Sequence, residues 1–437
     1  SFTPANHKRV CRGSRWGPDK VMLKHSHLIY DWNSLPETGF TAKPRVMLDD
    51  ESLRDGLQSP SVTDPPIEEK LKILHLMEEL GIDMADIGLP GAGPRAVADV
   101  ERLAKEIAAC RLKIRPNCAA RTHENDIRPV AEISQRAGIP IDVACFLGSS
   151  PIRRYTENWT DDFLLTTTEK AVSYARSLGL EVMYVTEDTS RCDPETVKRL
   201  YSTAINYGAT AIVICDTVGH ATPSGVHALI RFVLEEVVKP SGQKVRVDWH
   251  GHSDRGLAVA NSLAALAAGA DCVHGTALGI GERVGNTQID QMLVNLKLMG
   301  VAPWVDQDLT KLKEYCMTVS QATAVPIPRN YPVMGEDAFR TATGVHAAAV
   351  IKAFRKGDIE LANSVYSGVP SHYFGLEQII EIGPMSGKSN VIFWLERKGI
   401  TASEDLVDRI FQRAKASDRC LTEEEILACC QKVSAGT

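Results

Sequence analysis

Two histidines one residue apart, His250 and His252, follow the strand-like run Lys244-Val-Arg-Val-Asp-Trp249. Side chains two apart on a strand share a face, so both imidazoles can reach one point. Two imidazoles at one point are half of a divalent-metal site, although two ordinary histidines show the same spacing. An acid elsewhere decides between these readings, and Leu53-Arg54-Asp55-Gly56 offers one. Asp55, His250 and His252 form a mixed oxygen and nitrogen set suited to Zn²⁺, Mn²⁺ or, with added waters, Mg²⁺. Such a set leaves room for the carbonyl and carboxylate of a 2-oxo acid, with the cation acting as a Lewis acid. Arg54, beside the acid, reads as a stabiliser of oxyanion charge or as half of a surface salt bridge. Glu187 closes a mostly apolar segment, where a raised pKa would suit proton transfer; a rim ion pair with Arg191 is the plainer alternative.

The elements that must position these groups follow an alternating rhythm from about residue 45 to 300. Strands are expected at 46–48, 84–87, 113–118, 141–146, 181–185, 211–215, 245–249 and 271–274. Helices are expected around 66–80, 95–108, 123–137, 161–178, 194–207, 223–237, 255–268 and 287–299. Eight strand–helix units in about 250 residues is the arithmetic of a (β/α)₈ TIM barrel. A doubly wound open sheet usually has fewer units and a Gly-rich phosphate loop after its first strand. The fold class is therefore α/β: a TIM barrel over 45–303, preceded by an irregular arm (1–44) and followed by a mainly helical C-terminal appendage (304–437). Helices in the appendage are expected near 308–321, 345–355, 390–398, 403–415 and 422–434.

In such a barrel the active site lies where strands end and the next loops begin. Polar residues accumulate there: Asp49 to Gln58 after the first strand, Asn117 and Arg121 after the third, and Ser149-Ser150 after the fourth. Thr186-Glu187-Asp188 follows the fifth strand, Asp216-Thr217 the sixth, the two histidines the seventh, and Gly279 to Asn286 the eighth. Their convergence at one end is hard to explain by solvation alone.

Bulk properties narrow the class. The chain has 437 residues, 44% hydrophobic and 24% charged, with a formal charge of −6 and a pI near 6.1. These give no push toward nucleic acid or an anionic membrane. No apolar stretch of about 18 residues predicts a spanning helix. Eleven cysteines without regular spacing, including the adjacent Cys429-Cys430, read as free thiols in a reducing compartment, with the cytoplasm as the expected location. The basic residues Lys8, Arg9, Arg12, Arg15, Lys20 and Lys24 read equally as a targeting segment or as a surface arm.

Asp50-Glu-Ser-Leu-Arg-Asp-Gly-Leu-Gln58 resembles the D-x-[ST]-L-R-D-G-x-Q signature of metal-dependent barrel enzymes that make or break carbon–carbon bonds beside acyl-CoA. His250-Gly-His-Ser-Asp-Arg-Gly256, followed by Ala260-Asn261, is similar to their H-x-H-N-D-x-G segment. Gly279-Ile-Gly-Glu-Arg-Val-Gly-Asn286 resembles the G-x-G-E-R-x-G-N loop of the 2-isopropylmalate, homocitrate and citramalate synthases. Thr343-Gly-Val-His346 and Ser386-Gly-Lys388 resemble two later segments of those synthases, so the likeness runs from about residue 45 to 400. It implies that Asp55, His250 and His252 are metal ligands with Asn286 near or on the metal, and that Arg54 meets the reacting carbonyl. It further implies that Arg121 and Thr217, with Ser150 and Arg153 nearby, bind the oxo acid. Glu187 falls on the family's active-site glutamate, and His346 on a histidine often given to a neighbouring subunit.

The implied reaction is a Claisen-type condensation of acetyl-CoA with a 2-oxo acid, releasing CoA, in a homodimer. The expected substrate is 2-oxoisovalerate, giving 2-isopropylmalate; 2-oxoglutarate, pyruvate and oxaloacetate remain open, and an inward Arg153 would favour a dicarboxylate. Four positions depart from the synthase pattern: Leu57 stands for Glu, as in hydroxymethylglutaryl-CoA lyase, Ser253 for Asn, Arg153 for His and Thr341 for His. A lyase activity is a second possibility, although 279–286 lacks the lyases' cysteine. A non-catalytic descendant is a third, although it would be expected to have lost a ligand or Arg54. Because the chain ends soon after the appendage, feedback inhibition through a further regulatory domain is not expected.

Overall fold

The strand runs are apolar on both faces, as they must be when helices cover the outside and side chains fill the inside. In the computed structural model, which describes residues 25–36 and 38–431, they form β1 (Met47–Asp50), β2 (Met84–Asp86), β3 (Arg115–Arg121) and β4 (Asp142–Gly148). β5 (Val182–Glu187), β6 (Ala211–Asp216), β7 (Arg246–Gly251) and β8 (Cys272–Gly275) complete the set. All neighbours are parallel, and β8 pairs with β1, closing a barrel in chain order. The fold is a TIM barrel with a helical C-terminal region.

Period-two alternation sorts the strand residues. Leu48, Ala85, Val143, Tyr184, Ile212, Val247 and Val273 face outward into the main apolar core. Met84, Ala144, Met183, Ala211, Val213 and Cys215 form a separate cluster inside the barrel.

The outer ring contains α1 (Ile67–Glu79), α2 (Pro94–Cys110), α3 (Glu124–Ala137), α4 (Pro151–Glu157), α5 (Asp161–Ser177), α6 (Pro194–Asn206) and α7 (Pro223–Val233). A single turn α8 (Lys239–Ser241), then α9 (Ala258–Ala268) and α10 (Ile289–Leu298), finish it. Every expected barrel helix is present. Beyond them stand the short α8 and the helix α4, where Ser150 caps the N-terminus and Pro151 takes the first turn, a signal readable from Ser-Pro alone.

The barrel's apolar core does not stop at residue 303. It takes in Trp304, Leu309, Leu312 and Tyr315, and α11 (Leu312–Thr323) packs on α1. Beyond it, α12 (Gly344–Arg355), α13 (Ile359–Ser364), α14 (Lys388–Arg397), α15 (Glu404–Lys415) and α16 (Glu423–Gln431) build two further cores. A two-stranded sheet, β9 (Arg340–Thr341) with β10 (Ile379–Ile380), was not expected, because two-residue strands carry no readable period. The basic residues of the arm up to Lys24, and the end of the last expected helix past 431, lie outside the described residues. The cysteines among the described residues are unpaired. Among the described residues no helix is long and apolar enough to cross a membrane.

Candidate active site

At the C-terminal mouth of the barrel, inward side chains surround a cavity of about 260 Å³. That is below the roughly 300–1,000 Å³ of sites for drug-sized ligands, a size suited to a small acid rather than a whole coenzyme. The strand period delivers its lining: Asn117 and Ala119 from β3, Ala144 and Phe146 from β4, Met183, Val185 and Glu187 from β5, and Val213 and Cys215 from β6. Thr217, His250, His252, His274, Arg54, Asp55 and Asp86 also face it.

Asp55, His250 and His252 converge. Nε2 of His250 and Nε2 of His252 are 3.3 Å apart, and Oδ2 of Asp55 is 3.8 Å from the first and 3.6 Å from the second. Donors about 2.1 Å from one cation stand about 3.0–3.4 Å apart, so the triangle needs only a small contraction to hold an ion. Without an ion, one of these two ring nitrogens donates to the other, the direction set by tautomer. Oδ2 of Asp55 is buried without a hydrogen-bond partner, as is Oδ1 of Asn286. Asn286 is bridged to His252 through backbone pairing, and its Nδ2 donates to the Ile280 carbonyl at 3.1 Å. This donor chemistry fits a divalent cation.

The loop that delivers Asn286 depends on glycine at two points. Gly281 and Gly285 have φ of +145° and +95°. A Cβ on Gly281 would collide with the Asn286 amide, and one on Gly285 with the Gly279 carbonyl.

Arg54 is not a surface ion pair. Its Nε donates to Asp86 at 2.7 Å and its Nη1 to Asp55 at 2.8 Å, while Nη2 meets Glu51. Three carboxylates on one guanidinium leave the site net negative, which favours a cation. Burial pushes the Asp86 carboxyl up to about 6, with Arg54 offsetting part of the rise. Burial likewise pushes Asp49 up to about 8 despite His274 nearby. For Glu51, burial is outweighed by Arg54 and His250, and its carboxyl is held well below the usual range. Burial also lowers His252 to about 4, with His250 adding to the effect, so its imidazole is neutral and available as a ligand.

Glu187 faces the cavity, and burial raises its pKa, with Arg153 partly countering. Its expected alternative partner is engaged elsewhere: Arg191 forms a bidentate pair with Asp188 at 2.6–3.0 Å. Thr217 lines the cavity while its Oγ1 accepts from the Asp188 amide at 2.8 Å.

Five of the expected residues are not on the cavity wall: the buried Asn286 described above and the four that follow. Arg121 leaves the end of β3 to form a two-point pair with Asp126 at 2.7 and 2.9 Å. Ser150 is buried as the cap of α4. Arg153 pairs with Glu157 at 3.1 Å and lies over Trp159. His346 is exposed near the start of α12, stacked on Tyr366 with ring centroids 4.4 Å apart. Ser386 ties chain segments together, bonding the Ala342 carbonyl and the Gly383 amide.

Sequence reasoning assigned no role to Glu51, Asp86, Asp248 or His274. The available signal was a charged or imidazole side chain on the inward face of a buried strand, as with Asp248 two residues before His250. Such a residue must have partners.

The chain belongs to the HMGL-like family, whose pattern matches residues 45–319. It is similar to the homocitrate synthase AksA of Methanopyrus kandleri, 32% identical over 373 residues, covering 85% of this chain and 87% of that protein. It is also similar to the 2-isopropylmalate synthase of Geobacillus sp., 30% identical over 390 residues, covering 88% of this chain and 73% of that one. Among solved structures, the HMG-CoA lyase of Bacillus subtilis matches with a TM-score of 0.54 and 19% identity, covering 66% of this chain and 96% of that one. That likeness concerns the fold.

Proposed function

We propose that this chain joins acetyl-CoA to a 2-oxo acid and releases CoA, with 2-oxoisovalerate as the preferred acid. The observation that carries the reading is the Asp55–His250–His252 triangle beside Arg54, opposite Glu187, in one small cavity. Relatives that are 2-isopropylmalate and homocitrate synthases support the reaction class. The walls support an apolar oxo-acid side chain: Ala144, Phe146, Met183, Val185 and Val213 border the cavity, and Arg153 does not.

A divalent cation held by Asp55, His250 and His252, with Asn286 close by, would supply Lewis-acid polarisation of the keto group. Arg54 places its guanidinium where oxygen charge develops during attack, held in advance by Glu51, Asp55 and Asp86. Thr217 offers a hydroxyl to the acid's carboxylate. Glu187 moves the proton: the acetyl methyl group loses it, the resulting carbon bonds to the keto carbon, and the keto oxygen is protonated. Water then cleaves the thioester, leaving a carboxylate and the CoA thiol.

His346 lies outside its own chain's cavity, so its role requires a second copy. The expected assembly is a homodimer, in the cytoplasm. The reading is tested by following thiol release from acetyl-CoA with Mg²⁺, Mn²⁺ or Zn²⁺ and a panel of 2-oxo acids. Release above background is expected and is greatest with 2-oxoisovalerate; no release with any acid overturns the synthase reading.

A further inference from the structure

We propose that His274 is a positioning residue that acts through Glu51 to orient both His250 and Arg54. The inference rests on the reading of Asp55, His250 and His252 as a cation site. One carboxylate serves two functional groups. Oε1 of Glu51 accepts from His250 Nδ1 at 3.1 Å and from His274 Nδ1 at 2.7 Å, while Oε2 meets Arg54. Committing the Nδ1 proton of His250 to Glu51 leaves the Nε2 lone pair facing His252 and Asp55, as a ligand requires.

Glu51 needs an anchor besides the two groups it orients, or all three could shift together. His274 is that anchor, a third partner on the oxygen that meets His250. Its Nε2 lies 3.3 Å from Oδ2 of Asp248, two residues before His250 on β7. Asp248 is itself clamped by Arg246, at 2.9 and 3.0 Å to Nε and 2.8 Å to Nη2. The chain Arg246–Asp248–His274–Glu51 thus runs up the inside of the barrel, and Glu51, His274 and Asp248 are all buried.

The experiment measures Mn²⁺ affinity and kcat/KM for the full chain and for His274→Gln, Glu51→Gln, the double variant and His252→Ala. Each of the first two single changes is expected to weaken metal binding by about 10–100-fold. The double variant is expected to be no weaker than Glu51→Gln alone, because His274 acts through Glu51. Independent losses that multiply, or an unchanged His274→Gln, overturn the proposal. If the His274 variant does not fold, nitrogen NMR of histidine-labelled wild-type protein decides: a proton on Nδ1 of His274, hydrogen-bonded to Glu51, is expected, and a bare Nδ1 there overturns the proposal. His252→Ala separates the two claims, since retained Mn²⁺ affinity there removes the metal site itself. Loss there with no effect at His274 removes only the positioning role.

Discussion

The cavity has two unlike halves. β7, β8, β1 and β2 are contiguous around the closed barrel and present His250, His252, His274, Glu51, Asp55 and Asp86. β4, β5 and β6 stand opposite and present Ala144, Phe146, Met183, Val185, Val213 and Cys215, with Glu187 at the top of β5. On the first half nearly every polar group is partnered, and Oδ2 of Asp55 and Oδ1 of Asn286 are among those that are not. On the second half, apart from Glu187 and Thr217 at the strand ends, the side chains are ordinary apolar packing. The contrast separates two tasks. Fixed charges hold a cation and anticipate developing charge, which needs geometry within tenths of an ångström. An apolar wall only selects by volume, and a missing or extra methylene there changes discrimination by about 10–200-fold.

Several measurements would break or sharpen this division. The largest effect is expected from Asp55→Asn on the charged half: metal affinity collapses and kcat/KM falls by roughly 10³-fold or more, a loss of several kcal/mol of charge stabilisation. Metal content and steady-state kinetics check this, and a fully active variant would contradict it.

Glu187→Gln, at the one carboxylate on the apolar half, is expected to lower kcat by about 10²–10⁴-fold. The sign of its pH dependence follows from burial. A raised pKa keeps the proton on Glu187 to higher pH, so the base form is lost as pH falls through a value above the ordinary glutamate value of about 4.3. The wild-type kcat/KM profile should show that acid limb, and the glutamine variant should lack it.

Arg54→Lys keeps the charge but cannot span three carboxylates. It should lower kcat by about 10²-fold, the scale of losing an oxyanion donor, as steady-state kinetics would show. A change in KM alone would move Arg54 from the reacting centre to simple substrate binding.

Smallest is Val185→Ala on the apolar half. Enlarging the wall should shift preference among 2-oxo acids by about tenfold toward longer side chains, with metal affinity unchanged. Competition assays with paired substrates would show this; equal loss for all acids would deny β5 a selecting role.

Much of the charged half was legible in sequence because its residues sit in short spacings. His250 and His252 share a strand face by period two, and Arg54 and Asp55 are adjacent. The Gly-rich loop before Asn286 needs backbone conformations that only glycine adopts easily. Arg121 stands off the cavity wall for a physical reason: Asp126, five residues on, pairs with its guanidinium at short range. Arg153 and Ser150 were drawn off by α4, whose cap and first turns use them locally.

The sequence by itself determined the eight strand–helix units, the face on which His250 and His252 lie, and the composition of the loop ending at Asn286. These follow from local periods and backbone preferences. Only the tertiary structure decided that Glu51 meets His274, 223 residues later, or that three acids surround Arg54. The first contact exists because β8 closes on β1, and Asp86 reaches Arg54 because β2 pairs with β1; no spacing along the chain encodes which inward side chains then meet.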